Sequence, residues 1–375
     1  MNQKQHFVPM DGAKMYNALR DEKLIIMAAN VQIIPGILEG IMQAAKDLQS
    51  PIILELAKSE CNLEGGYTGL MPKDFANACF ETAGKVKFDY WVLHADHLTI
   101  KSLSEDKIRA VEKLIKAQID VGYTSFAIDA SFLYDLNAKT EKEKLKNNTD
   151  ITIRLANFIK KHYKNNQFGL EVEVGEIGKK DENGMVLTTP EEAVTYLQEL
   201  DKNNINPHLL AIANGSAHGN IYKDGKEVPQ SAINIAQTKK VAKAIKDAGF
   251  ETRIAQHGIT GTPLPIIKNK FPKSDILKGN VGTFWRNIVW EVFRKFEPKL
   301  YKKIYNWTLT NYQDSKKSKE EIFGKNSKYA IREFYDEINK DLKTDTLKAL
   351  KQKSYIGAKK FIKAFGSQDS VKKLK

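Results

Sequence analysis

Cysteine is scarce in this chain. Cys61 and Cys79 are the only two among 375 residues, and their spacing fits no metal-binding pattern. That excludes a disulfide scaffold or a cysteine-ligated zinc module, and it suits a reducing compartment. No run of about 18 apolar residues occurs, so no membrane span is expected. The opening stretch, MNQKQHFVPMDG, lacks the basic-then-apolar pattern of a secretory signal, which leads to an expectation of a cytoplasmic protein. No internal repeat is evident beyond an alternation of short apolar runs with helical patterns.

The chain does carry charge, with a formal net of +13. Residues 301–375 hold 19 Lys and Arg against 9 Asp and Glu, so this stretch supplies +10 of that total. A basic segment of this kind can bind nucleic acid or another acidic surface. Here the lysines are scattered among acids and apolar residues at helical spacing. They read as a solvated helical face, and neither a nucleic-acid nor a membrane partner is expected. The aromatic-basic interleaving of known nucleic-acid modules is also missing.

Eight apolar runs read as strands: 24–30, 51–57, 89–96, 123–129, 168–175, 208–214, 252–258 and 275–283. Helical patterns separate them, at 34–48, 73–85, 104–120, 150–163, 190–202, 231–248, more weakly at 263–270, and at 284–304. A short helix over 11–21 opens the chain. This alternation predicts a (β/α)8 TIM barrel over residues 1–304. A doubly wound sheet would need a Gly-rich turn after the first strand, and Asn30-Val31-Gln32 offers none. Residues 305–375 are expected to form a basic helical C-terminal extension, packed on the barrel or on a partner subunit.

A barrel puts its chemistry at the C-terminal ends of its strands, and the unusual polar residues of this chain fall there. The third run, Tyr90-Trp91-Val92-Leu93-His94-Ala95-Asp96-His97, ends abruptly in two imidazoles and an acid. His97, His218 and His257 follow strands three, six and seven. Three imidazoles meeting at one mouth would leave a fourth position open on a zinc ion, and Asp96 could carry a proton beside it. His94, one pleat lower, is expected to support the others. His6, His162 and His208 are assigned no role. Glu171 and Glu173 share one strand face. Asp129 could join Glu173 at a second cation position, while Glu171 fits equally a partner for a Lys or Arg inside the barrel. The loops Gly258-Ile259-Thr260-Gly261-Thr262 and Gly279-Asn280-Val281-Gly282-Thr283 offer glycines and hydroxyls suited to an anion. Lys223 could add positive charge.

Taken together and in this order, these motifs resemble the class II, metal-dependent fructose-bisphosphate aldolases over about residues 15–300. The likeness rests on His94-Ala95-Asp96-His97, Leu170-Glu171-Val172-Glu173-Val174-Gly175, His218-Gly219, His257-Gly258-Ile259-Thr260-Gly261 and Gly279-Asn280-Val281-Gly282-Thr283. It implies reversible aldol cleavage of a ketose bisphosphate, with fructose 1,6-bisphosphate of glycolysis and gluconeogenesis as the leading substrate. It implies that His97, His218 and His257 bind catalytic Zn2+, that Asp96 is the acid/base at the substrate C4 hydroxyl, and that Asp129 and Glu173 sit at a second cation. It assigns Gly219, the backbone of Gly258, Ile259 and Thr260, and the loop of Asn280, Val281, Gly282 and Thr283 to the dihydroxyacetone phosphate end. Ser59 would meet the other end of the sugar. A cytoplasmic homodimer, or a higher homo-oligomer, is also implied, with Arg332 a candidate to reach a neighbouring site.

Three stretches depart from the family pattern. Gly282 stands where the phosphate loop usually has Asp. The loop after strand five reads Gly178-Lys179-Lys180-Asp181-Glu182-Asn183, leaving Asp181 or Glu182 to abstract the first proton. The loop Ala57 to Tyr67 is also unlike the common form. These departures leave open another ketose phosphate, such as tagatose 1,6-bisphosphate or a sulfo-sugar phosphate. Three other readings compete. A Schiff-base aldolase would need a desolvated strand lysine, for which Lys278 is the candidate. A barrel metal hydrolase would place His-x-His on the first strand, and residues 24–30 contain no histidine. A nucleic-acid binder would use the basic extension.

Overall fold

The computed structural model describes residues 7–164, 167–175, 180–181, 184–217, 219–230 and 232–375. Eight parallel strands close into a barrel. They are β1 (Ile26–Asn30), β2 (Ile52–Ala57), β3 (Trp91–Thr99), β4 (Ser125–Asp129), β5 (Gly169–Glu173), β6 (Leu209–Ala211), β7 (Arg253–Gln256) and β8 (Ile276–Val281). Each pairs with its sequence neighbours, and β1 closes the ring against β8. The predicted TIM barrel is therefore the observed fold.

Side chains alternate in and out of the wall, and the inward positions change character from bottom to top. The lower interior is apolar, built from Ile26, Ile53, Val92, Leu209 and Leu277, with Met15 and Tyr16 inserted from α1 (Gly12–Leu19). The middle holds Glu55, His94, Glu171 and Lys278, all buried. The mouth carries Asn30, Asp96, Asp129, Glu173, His257 and Asn280.

Helices α2 (Ile37–Asp47), α3 (Pro72–Val86), α4 (Glu105–Asp120), α5 (Glu141–His162), α6 (Pro190–Asp201), α7 (Ile235–Asp247), α8 (Leu264–Lys270) and α9 (Thr283–Phe296) cover the outer wall. Their starts follow local chemistry. Thr140 and Thr189 form capping boxes with Glu143 and Glu192, and prolines occupy the first turns of α3 and α6. Helix α5 begins at Glu141, so the polar stretch 137–150 is largely helical. The single helix expected over 284–304 is two helices. Pro298 lacks an N–H to continue the ladder, so α9 ends at Phe296 and α10 (Pro298–Asn311) starts anew. The division expected at residue 304 falls inside α10.

Beyond α10 come α11 (Lys319–Asn326), α12 (Ala330–Glu333), α13 (Tyr335–Asn339) and α14 (Thr344–Phe365). Helix α14 lies against α2 so closely that Gly40 has no room for a Cβ, which would stand 2.4 Å from the Lys351 carbonyl. The chain then joins the barrel floor. The Ile25 N–H donates to the Phe365 carbonyl at 3.1 Å, the Asp369 N–H donates to the Leu48 carbonyl at 2.9 Å, and Leu374 enters the apolar floor cluster. Among the described residues, no helix is long and apolar enough to cross a membrane.

Candidate active site

Strand β3 runs past its predicted end to Thr99, and its pairing with β4 slips between Ala95 and Leu98. At that irregularity His97 takes a φ of +40°, a left-handed conformation unusual for a residue with a Cβ. Such strain is typical of functional positions. It breaks the simple pleat alternation, so consecutive residues Asp96 and His97 both face the mouth.

His97 Nε2 lies 3.1 Å from His257 Nδ1. Two nitrogens bound to one tetrahedral zinc at about 2.0–2.1 Å would lie about 3.3 Å apart. The Asp96 carboxylate belongs to the same tight cluster, whose potential ligand atoms all lie within 4.8 Å of one another. The other nitrogen of each ring is held from behind. His97 Nδ1 faces Glu173 Oε2 at 3.0 Å and Asp129 Oδ2 at 3.3 Å. His257 Nε2 faces Glu171 Oε1 at 3.0 Å. Fixing the second nitrogen sets ring orientation and basicity, as metal-binding imidazoles require. Donor chemistry and geometry both fit a divalent ion.

Below the mouth lies a buried ionic group. Lys278 Nζ reaches Glu171 Oε2 at 2.7 Å, Glu55 Oε2 at 2.9 Å, His94 Nε2 at 3.1 Å and Asp96 Oδ1 at 3.5 Å. His94 Nδ1 continues to Ser125 Oγ at 2.7 Å, and Ser125 Oγ to the Tyr16 hydroxyl at 3.0 Å. Of the two readings open for Glu171, pairing with a barrel lysine is therefore observed, and the same carboxylate also supports His257.

The electrostatics follow from this packing. Burial pushes the Asp96 carboxyl up, but the charges of His97, Lys278 and His257 outweigh it and hold it below the usual range. Burial pushes Glu55 well up, and the Asp96 charge adds to this, so Glu55 favours its protonated form. Burial, and then Asp129, raise Glu173 to about 8. Burial works against the Lys278 charge, yet Glu171, Glu55 and Asp96 keep its ammonium well above the usual lysine range.

The cluster opens into a cavity of about 1000 Å³. Asp96, His97, Asp129, Glu173 and His257 line it. It is also lined by Gly219, by Gly258, Ile259 and Thr260 after β7, and by Asn280, Gly282 and Thr283 at the end of β8 and the start of α9, and Ser59 lies on its wall. Helix α9 begins at this wall, and its N-cap residue, Gly282, has no side chain to cap it. The Phe284 N–H there donates to Thr260 Oγ1 at 3.2 Å.

Other predicted residues lie elsewhere. Val281 is fully buried and is not part of the cavity wall. Lys223 sits exposed on the hairpin Ile221–Lys223 and Lys226–Val228, away from the cavity lining. Asp181 falls in the two-residue strand Lys180–Asp181, which pairs with Gly184–Met185. Glu182 and His218 lie outside the described residues. Arg332 donates to the Gly66 carbonyl of its own chain at 3.0 Å.

A sequence model of the family "Fructose-bisphosphate aldolase class-II" matches residues 10–363. The chain belongs to this family. Among curated relatives, the D-tagatose-1,6-bisphosphate aldolase subunit GatZ of Escherichia coli O157:H7 (strain EC4115 / EHEC) is 30% identical over 103 residues. That match covers 26% of this chain and 24% of the relative, so the chain spans about a quarter of the length of the curated relatives it matches. Solved structures share the fold along nearly the whole chain. The fructose-bisphosphate aldolase of Campylobacter jejuni has a TM-score of 0.63 at 19% identity, covering 96% of this chain and 97% of that one. The YdjI aldolase of Escherichia coli K12 has a TM-score of 0.61 at 17% identity, covering 97% and 100%. A protein described as a probable tagatose 6 phosphate kinase from Sinorhizobium meliloti 1021 also has a TM-score of 0.61, at 15% identity, covering 94% and 96%.

In this class II aldolase family member, the wall between β1, β2 and α9 contains polar residues the sequence did not single out. Gln32 Nε2 donates to Glu60 Oε1 at 2.8 Å and to Asn30 Oδ1 at 3.1 Å. The Tyr67 hydroxyl donates to Glu60 Oε1 at 2.6 Å, and Arg286 Nη1 donates to Gln32 Oε1 at 2.7 Å. One signal was available. Arg286, Val289, Trp290 and Phe293 share a helical stripe, and a charge within an apolar stripe is unusual.

Proposed function

We propose that the protein catalyses reversible, metal-dependent aldol cleavage of a ketose bisphosphate, releasing dihydroxyacetone phosphate and a phosphorylated three-carbon aldehyde. The observation that carries this reading is the convergence of His97 Nε2 and His257 Nδ1 at 3.1 Å beside Asp96, in the barrel mouth of a class II aldolase family member. His97, His257 and His218 would hold Zn2+. Bound there, the ion supplies Lewis acidity toward the ketone and hydroxyl oxygens of the three-carbon phosphate half.

The chain's own residues divide the remaining work. Asp96 accepts the proton of the C4 hydroxyl as the C3–C4 bond breaks and the aldehyde forms. The electron pair of that bond stays on the three-carbon half. Asp181 or Glu182 then delivers a proton to that C3 carbon, completing dihydroxyacetone phosphate, and removes it in the reverse direction. Glu171, Glu173 and Asp129 hold the two histidine rings, with Asp129 and Glu173 also suited to a second cation. The phosphate of the three-carbon half meets the backbone of Gly219 and Gly258–Thr260, Asn280, Gly282 and the hydroxyl of Thr283 at the start of α9, where a helix N-terminus favours an anion. Ser59 meets the far end of the sugar. We expect a cytoplasmic homo-oligomer acting at the fructose bisphosphate step of glycolysis and gluconeogenesis.

Tagatose 1,6-bisphosphate is the second reading, favoured by the 103-residue likeness to a tagatose-bisphosphate aldolase subunit. The test is a panel of ketose phosphates, assayed by trapping dihydroxyacetone phosphate with and without a chelator. Release of that product from a ketose bisphosphate, abolished by chelator and restored by zinc, supports the proposal. Chelator-resistant cleavage with borohydride trapping on Lys278 would replace it with Schiff-base chemistry.

A further inference from the structure

Arg286 is one of the most deeply placed cations in the molecule, 5% exposed, yet it lines the catalytic cavity. Its Nη1 donates to Gln32 Oε1 at 2.7 Å, while its Nε is buried with no hydrogen-bond partner. Among the described residues, no carboxylate lies within ion-pair distance of it. Buried guanidinium groups are ordinarily paired or bound to an anion, because an uncompensated buried charge is costly.

The nearest candidate acid is already engaged. Glu60 accepts from Gln32, Tyr67, Asn30 and the Ala57 N–H, and none of these donors is the guanidinium. Burial raises its carboxyl above the usual range. Lys328, another cation lining the cavity, adds positive charge near Arg286. Glu60 therefore acts on Arg286 through its charge without an ion pair, and the Arg286 Nε donor is left unused.

Position says which anion. The proposed phosphate site of the three-carbon half is built from the β7 and β8 loops and the start of α9. Arg286 sits one turn into α9, hydrogen-bonded to Gln32 after β1, whose partner Glu60 follows β2. This ties Arg286 to the β1 and β2 loops, where Glu60 adjoins Ser59 in the chain, and both Arg286 and Ser59 line the cavity. A bisphosphate needs two anion receptors.

We infer that Arg286 receives the phosphate at the far end of the ketose bisphosphate and sets the preference for a phosphorylated aldehyde half. This inference rests on the aldolase reading above. A guanidinium presents paired N–H donors that match phosphate geometry, which a lysine ammonium does not.

The test compares kcat/KM for fructose and tagatose 1,6-bisphosphates with kcat/KM for the corresponding 1-phosphates, in the wild type, Arg286→Gln and Arg286→Lys. The wild type should favour the bisphosphate. Arg286→Gln should lower kcat/KM on the bisphosphate by about 100-fold, mostly through KM, as expected for loss of a buried charge partner. The loss on the 1-phosphate should be far smaller, so the ratio between the two substrates collapses. Arg286→Lys should fall between. Solvent deuterium exchange into dihydroxyacetone phosphate reports the three-carbon half alone, and thermal denaturation reports the fold. Equal losses on both substrates and on exchange would make Arg286 a packing residue and overturn the inference. A wild type that exchanges deuterium but cleaves both substrates equally would overturn it too, leaving the aldolase reading intact. A wild type that neither exchanges nor cleaves would remove that reading and this inference with it.

Discussion

Lys278 and Glu171 form an ion pair of 2.7 Å in the middle of the barrel, and neither side chain reaches solvent. The pair does not end there. The second Glu171 oxygen holds His257, and the same ammonium reaches Glu55, Asp96 and His94. One lysine thus links the orientation of a metal-site histidine to the ionisation of the proposed acid/base.

Removing that lysine tests how far the barrel depends on it. Lys278→Met keeps most of the side-chain length and leaves the buried Glu171 and Asp96 without its ammonium. Breaking a buried pair from one side typically costs about 3–5 kcal/mol. Urea denaturation should show a loss of that order. An unchanged midpoint would mean that the carboxyls take up protons at little cost.

Asp96 should matter to turnover far more than to metal content. Loss of a positioned acid/base typically costs about 10²–10⁴-fold in rate. Asp96→Ala should lower kcat by that order while zinc, measured by atomic emission, stays near the wild-type stoichiometry. Normal turnover in the variant would take the proton-transfer role away from Asp96, and loss of zinc would make it a ligand.

His208 should give the fold a pH dependence separate from the active site. It lies at the barrel floor, where its Nδ1 accepts from the Leu170 N–H at 3.2 Å. Burial, then the charge of Arg20, lower it to about 4. The folded state therefore favours neutral His208, while the unfolded chain titrates near its ordinary value of about 6.5. Its stabilising contribution is complete above about pH 6.5 and is lost as pH falls toward 4, by up to about 3 kcal/mol. His208→Gln should flatten the stability curve in that window, and an identical slope in the variant would assign the pH dependence to other groups.

The C-terminal helices should behave as part of the barrel. In an isolated helix, Gly→Ala stabilises by about 1 kcal/mol. At Gly40 the added Cβ would stand 2.0 Å from Ser354 Oγ and 2.4 Å from the Lys351 carbonyl. Overpacking of this kind typically costs about 1–3 kcal/mol. Gly40→Ala should lower the thermal midpoint. A rise would mean that α14 does not press on α2 as described.

The barrel was legible because eight apolar runs of strand length alternate with amphipathic helices, and because polar residues collect where those runs end. His94, Asp96 and His97 stood out as costly at the tip of an apolar strand. What stayed hidden depends on long-range packing. Nothing local announces that β3 slips at Ala95 and puts His97 at positive φ, so that neighbouring residues share the mouth. Lys278 stood only as a candidate Schiff-base lysine, since its four partners come from β2, β3 and β5, far from it in the chain. Arg286 was masked by its helix, whose apolar residues drew attention to packing. Pro298 marked a helix boundary that the surrounding apolar periodicity obscured.

The central claim is that two imidazoles converge on one divalent ion beside Asp96. Anomalous diffraction at the zinc edge, on crystals grown with zinc, tests it most directly. The account expects a single strong peak within bonding distance of His97 Nε2 and His257 Nδ1, with His218 completing the set. A peak elsewhere, or rings that point at separate surroundings, would contradict it.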